Sequence, residues 1–481
     1  MSDGFLWHDY ETFGADPRRD RPCQFAARPT DTDLRPCDEP VVLYCAPGDD
    51  VLPVPQACRI TGITPQLARE RGEPEYAFAR AIHELMAAPG TCSVGFNNFR
   101  FDDELTRFLF WRNFLDPYRR EYANGNSRFD LIDLLRLARA LRPDGMQWPA
   151  RDDGATSFRL EDLAEANGCD VSSAHDALAD VDNTLALARR LRDAQPRLWE
   201  WALQLRAKHR VESLLERGDV LLHASARFPA AEGAIAPILP LARHPEIPAQ
   251  WLVWNLRHDP EPFRSLDPEL LDDLAWTPAD DLPEGLQRLP VKWVRSNRCP
   301  MLSPMNTLDS EARARSGIDP QAATRHASRL TADADFVDRV LAAAARPAAR
   351  TSVDPEVALY DGFIPRSDEA LRNRLGGADA DEIADVHADG GEPFADPRLN
   401  EMLFRFVARH RPDRLDAEGR ARWRRHRRRV LVDDPDLASV RITEYRELVA
   451  ALAEEGAPGP LVRDLVEWPE KIGMNDLQRD E

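Results

Sequence analysis

The sequence predicts an α/β sheet domain at its N-terminal end, a small β-rich domain next and a helical C-terminal region. Three observations carry that prediction. Apolar runs alternate with helical stretches over the first 195 residues, the pattern of strands and helices layered on one sheet. Between Asp219 and Arg298 proline becomes frequent and short β-type runs take over, among them VLLHASARF, QWLVWNL and LPVKWVRSN. At AAAARPAARTSVDPE (Ala342 to Glu356) the composition reads as a linker, and the periodicity beyond it is helical. The expected boundaries are 1–195, 196–347 and 352–478.

FLWHDYETF has the continuous apolar character of a buried strand entering a turn, and VVLYC reads as a second strand. TCSVGFNNFRFDDELTRFLFWRNF reads as a strand, a loop and a helix. A further helix is expected to begin near Ala177 and to end near Gln195 and Pro196. The acidic, Gly/Asp-rich stretch RLGGADADEIADVHADGGEPFADPR (Arg374 to Arg398) is expected to be a solvated loop.

With 63 basic and 83 acidic residues the chain has a formal charge of −20, and 43% of it is hydrophobic. That composition excludes disorder throughout, a collagen-like repeat and a disulfide-stapled mini-protein. It also argues against a general nucleic-acid coat protein, while leaving room for a local basic channel. Only Lys208, Lys292 and Lys471 are lysines; GC-rich coding or an acidic surface adapted to salt would both produce this bias. The seven cysteines are scattered and include no Cys-x-x-Cys pair, so reduced thiols are expected. No run of 18 apolar residues occurs and no basic segment precedes the N-terminal apolar stretch, which predicts a cytoplasmic protein.

Three short segments carry chemistry. Asp9 and Glu11 stand two apart in the first strand, and a period of two turns both carboxylates to one face, where they repel unless a hard cation such as a divalent metal compensates them. Asn97, Asn98 and Phe101 precede Asp102, Asp103 and Glu104 at a helix start. His175 and Asp180 are five residues apart, roughly 140° round a helix, so His175 is expected just before the helix, with Ser172 or Ser173 as cap, and Asp180 in its first turns.

In order and spacing these segments resemble the three motifs of the DEDDh 3′→5′ exonucleases. HDYETFG, DRPCQFAA, ITGITPQ, FNNFRFDDE, SFRLEDLAEANG and HDALAD resemble the bacterial exonuclease I family specifically, and PVKWVRSNRCPML, NTL, LYDGF and RWRRHRR extend the likeness along nearly the whole chain. The resemblance implies a ribonuclease H-like exonuclease domain, an SH3-like β-barrel domain and a helical domain around a channel for single-stranded DNA. It further implies processive, Mg²⁺-dependent degradation from the 3′ end to 5′-mononucleotides in DNA repair and recombination. Asp9, Glu11, Asp102 and Asp180 would hold two Mg²⁺ ions, replaceable by Mn²⁺, and His175 would be the general base. Substrate contacts carried over from the family are Glu11, Arg107, Tyr118, Tyr122, Arg136, Arg159, Trp201, Lys208, Lys292 and Asn297. The implied partners are single-stranded DNA and the acidic C-terminal tail of single-stranded DNA-binding protein, with the chain a monomer.

Between Arg405 and Arg429 stand 11 arginines against three acids, readable as a solvated helix face or as a surface for phosphate or acidic peptide. The competing readings of the whole are an RNA-trimming or proofreading DEDDh enzyme and an inactive single-strand-binding scaffold. Length and PVKWVRSN favour DNA degradation, and the intact set of motif residues disfavours the scaffold.

Overall fold

The computed structural model describes residues 4–170, 176–345, 352 and 354–478. It divides into two compact units, Met1–Ser127 with Ser172–Asp182 and Arg350–Glu481, and Arg128–Val171 with Asn183–Ala349. None of its described helices is long and apolar enough to cross a membrane.

In the first unit the sheet is built around β1 (Gly4–Thr12), which pairs antiparallel with β2 (Pro22–Thr30) and parallel with β5 (Thr91–Gly95). β3 (Val41–Ala46) continues the sheet antiparallel to β2, and the two-residue β4 (Glu73–Pro74) lies parallel to β3. Alternation along β1 sends Leu6 and Tyr10 into a core with Phe25, Phe78, Leu105 and Leu109. Fully burying each such side chain contributes about 1.5–3 kcal/mol. Asp9 and Glu11 occupy the opposite parity, as the spacing requires.

Helices of residues 354–478 pack on this unit. Leu431, Tyr445, Leu465 and Trp468 share one core with Phe13, Cys23 and Cys58, and the Tyr445 hydroxyl donates to the Leu465 carbonyl at 2.7 Å. The segment expected as a solvated loop contains a helix, Ala380–Gly390. Asp379 caps it by accepting from the Glu382 N–H at 2.9 Å, and Ile383 and Ala384 are buried. Apolar side chains spaced for one face outweighed the acidic composition.

The second unit carries a five-stranded antiparallel sheet of order β10-β9-β8-β7-β11, from β7 (Leu221–Ala224), β8 (Ile235–Arg243), β9 (Gln250–Asn255), β10 (Val291–Arg295) and β11 (Met301–Pro304). β8 shifts register between Pro240 and Ala242, where proline lacks a ladder donor. Leu252, Trp254, Phe263 and Phe336 form its core. The expected linker begins inside a helix, Ala334–Ala344, and residues 346–351 and 353 lie outside the described ones.

Candidate active site

Glu11 on β1 stands opposite Gln24 on β2 in register. The Gln24 Oε1 accepts from the backbone N–H of Ala177 at 3.3 Å, at the start of the helix Ala177–Ala194. Asp176 caps that helix, its Oδ1 accepting from Leu178 and Ala179 at 3.1 and 3.3 Å. Arg28 of β2 pairs with Asp182, donating at 2.8 Å. The first helical turn is thereby fixed against the strand pair, and Asp180 is brought to Asp9 and Glu11. One carboxylate oxygen from each of the three residues lies within 4.8 Å of the others.

Asp102 is the first residue of the helix Asp102–Arg112 and is 4% exposed. The loop before it turns sharply: Asn97 has φ 64°, the Asn98 carbonyl accepts from the Asp103 N–H at 2.9 Å, and a Cβ at Gly95 would meet the Asn98 Cβ at 2.9 Å. Only glycine tolerates that approach. Beside it Asp103 pairs with Arg120 at 2.6 Å, both side chains fully buried, so the second aspartate of the FDDE segment is neutralised in the core.

Burial, then the charges of Asp102, Glu11 and Asp180, raise the Asp9 carboxyl well above its usual range. Glu11 is pushed up to about 8 by burial and by Asp180, Asp102 and Asp176. Among the described residues neither Asp9 nor Glu11 has an ion-pair partner. A set of hard oxygen donors with this much mutual repulsion fits a divalent cation, which would relieve it.

The remaining residues singled out from the sequence fall in different surroundings. His175, Ser172 and Ser173 lie outside the described residues. Arg107 is 6% exposed and enclosed by acids, donating to Glu121 at 2.8 and 2.9 Å and to Glu104 at 2.8 Å, above the Tyr118 ring. Tyr118 is half-buried and Tyr122 is exposed, both in the first unit.

In the second unit Arg136 pairs with Asp133 at 2.5 Å, and Arg159 is 71% exposed beside Glu161. Lys208, half-exposed, lies 3.6 Å from Glu212. Trp201 donates its indole N–H to the Leu302 carbonyl at 2.7 Å. Lys292 donates to His223 Nε2 and to Ser225 Oγ, each at 2.7 Å, and Asn297 is exposed. Sequence reasoning missed Gln24, Arg28 and Asp182, which hold the third carboxylate in place; DRPCQFAAR carries Gln24 and Arg28, and Asp182 stands two residues beyond Asp180, but only the strand pairing and the Arg28–Asp182 ion pair show what they face.

In the arginine-rich segment most side chains are engaged. Arg409 pairs with Asp50 and Glu356, Arg405 with Asp354, Arg414 with Asp385 and Arg422 with Glu401.

Residues 6–188 match the family described as Exonuclease, residues 206–344 the Exonuclease I SH3-like domain and residues 353–472 the Exonuclease I C-terminal domain. Exodeoxyribonuclease I of Escherichia coli is 40% identical over 480 residues, 98% of this chain and all of that one. Among solved structures, a moderately thermophilic exonuclease I from Methylocaldum szegediense is 43% identical with TM-score 0.91, covering 98% of this chain and 99% of its own. The zinc-bound E. coli exonuclease I complex with single-stranded DNA is 38% identical with TM-score 0.90, covering 98% of this chain and all of its own. A ribonuclease H-like exonuclease domain, an SH3-like domain and a helical C-terminal domain are thus the architecture of this chain, which belongs to the exonuclease I family.

Proposed function

We propose that this chain is an Mg²⁺-dependent 3′→5′ exonuclease that degrades single-stranded DNA processively to 5′-mononucleotides, in DNA repair and recombination. The observation that carries the reading is the convergence of Asp9, Glu11 and Asp180 within 4.8 Å, with no basic side chain paired to Asp9 or Glu11 among the described residues. Asp9, Glu11, Asp102 and Asp180 are the residues that would hold two Mg²⁺ ions, with Mn²⁺ able to replace them. Bound there, the cations supply charge stabilisation to the attacking and leaving oxygens of an in-line displacement.

The chain's own groups do the rest. His175, two residues before Ala177 in the sequence, takes the proton from the attacking water, a role that suits an imidazole, whose ordinary titration lies near neutral pH. Water attacks the terminal phosphorus, the upstream 3′-oxygen leaves, and the phosphate departs on the released nucleotide. Arg159, Lys208, Lys292 and Asn297, with the aromatic rings of Tyr118, Tyr122 and Trp201, supply charge and stacking for the strand. Arg136 joins them once Asp133 yields, and Glu11 touches the terminal nucleotide. Arg107 acts mainly by holding Glu104, Glu121 and Tyr118 in place.

Within this reading the segments 1–195, 196–347 and 352–478 are the exonuclease, SH3-like and helical domains of a monomeric cytoplasmic enzyme, which also binds the acidic tail of single-stranded DNA-binding protein. The test is a time course on 3′- and 5′-labelled oligonucleotides, single- and double-stranded, DNA and RNA, with Mg²⁺ or EDTA. Mononucleotides released from the 3′ end of single-stranded DNA alone, and only with Mg²⁺, are expected. Equal attack on RNA, or cleavage in EDTA, would sink the proposal.

A further inference from the structure

A cavity of about 290 Å³ lies in the second unit, lined by residues outside every motif discussed above. The helix Leu131–Leu141 brings Arg139 to it, the loop 153–156 brings Thr156, and the end of the helix Ser310–Ser316 brings Arg315. Arg139 donates Nε–H to Thr156 Oγ1 at 3.2 Å and pairs with no carboxylate among the described residues. Arg315 reaches the Ala140 carbonyl at 3.4 Å; its one acidic neighbour among the described residues, Glu311, is 3.5 Å away and 86% exposed. Its Nε is buried and makes no hydrogen bond.

The single acid on the wall is already spent. Asp153 pairs with Arg151 at 2.7 Å and accepts from the Ala155 N–H at 3.0 Å. Outside the lining, Arg257, itself paired with Glu232, donates to the carbonyls of Glu232, Ile235 and Ser316 at 3.0, 3.0 and 2.7 Å. Backbone acceptors there are occupied, and what faces the cavity is donor-rich. Burial and the Arg315 charge both weaken Arg139's hold on its proton, yet a guanidinium does not deprotonate in a protein, so an anion between the two would relieve their repulsion.

We propose that this cavity binds one phosphate group between Arg139 and Arg315, with the Thr156 hydroxyl as a third donor. Two guanidinium forks match the oxygens of a tetrahedral oxyanion. The volume exceeds the roughly 30 Å³ share of one water several-fold, leaving space for a sugar behind the phosphate. Arg139 stands one helical turn from Arg136, so the phosphate comes either from a free nucleoside monophosphate or from the strand itself.

The site is separate in sequence from the carboxylates of β1, so either can fail alone. The full chain in EDTA, where those carboxylates repel anions, is titrated with inorganic phosphate and with thymidine 5′-monophosphate at constant ionic strength, and binding is read by calorimetry and melting temperature. Saturable binding is expected in the wild type, at least about tenfold weaker in Arg139→Gln and in Arg315→Gln. Arg142→Gln, outside the cavity wall, keeps wild-type affinity. A dT oligonucleotide that competes, with a salt slope lowered in Arg139→Gln, assigns the phosphate to the strand; an unchanged slope assigns it to the free nucleotide. If wild type and both cavity variants respond alike, or none binds either probe, the proposal is overturned.

Discussion

Two sets of acids in the first unit differ in a way that separates structure from chemistry. Asp50, Glu75 and Glu356 lie among Arg21, Arg112, Arg405 and Arg409: Arg112 meets Glu75 at 2.7 Å, and Arg409 meets Asp50 at 2.7 Å and Glu356 at 2.6 Å. Burial alone would raise their pKa values, but the guanidinium groups overcome it, lowering Glu75 to about 2 and Glu356 well below its usual range. Asp9 and Glu11 are partly exposed, have no such partners among the described residues and shift the other way. The same side-chain types thus form a paired ion network in one place and a candidate cation site in the other.

The largest expected effect comes from breaking the cation site. Asp180→Asn or Asp9→Asn should lower the hydrolysis rate by more than about 10³-fold while single-strand binding persists, since no core is opened. A rate within tenfold of wild type, measured on a labelled oligonucleotide, contradicts the assignment. His175→Ala should cost roughly 10² to 10⁴ in turnover and flatten the rise of rate with pH. An unchanged pH profile would show that another group takes the proton.

Stability sharpens the contrast. Removing Arg409 by substitution to Met strands Asp50 and takes one of three guanidinium partners from Glu356, which keeps Arg21 and Arg405, and should destabilise the chain by about 3–5 kcal/mol in denaturant titrations. Asp9→Asn should instead raise the melting temperature in EDTA, because it removes repulsion.

The pH dependences oppose each other as well. Glu75 and Glu356 have folded pKa values below their unfolded ones, so their stabilisation is present above about pH 4.3 and is lost as pH falls below it, toward about 2 for Glu75. Glu11, raised to about 8, binds more protons folded than unfolded, so in EDTA the wild type should lose stability as pH rises from about 4.3 to 8. Parallel melting curves for wild type and Asp9→Asn across that window would contradict the account. The smallest effect belongs to the strand contacts: Arg159→Ala and Lys208→Ala should each reduce the log-log salt slope of single-strand binding by about 0.7.

Much of this was legible in the sequence because its signals are local. The alternation Asp9-x-Glu11 on a strand, the turn before Asp102 and the start of a helix near Ala177 depend on neighbours in the chain. What escaped depends on distant partners. β2, cut by Pro22, Arg28 and Pro29, gives little apolar periodicity, yet it supplies Gln24 and Arg28 to the Asp180 helix. Acidic residues masked the helix Ala380–Gly390. The arginine-rich segment looked like an open basic surface until its acids proved to lie as far away as Asp50 and Glu356.

Titration of Mn²⁺ into EDTA-stripped, desalted full-length chain at pH 8, followed by calorimetry, tests most directly the claim that Asp9, Glu11 and Asp180 form a cation site. Saturable binding with proton release is predicted, because Glu11 and Asp9 must give up protons to bind. It should be weakened at least about tenfold in Asp180→Asn. Identical isotherms for the two proteins would contradict it.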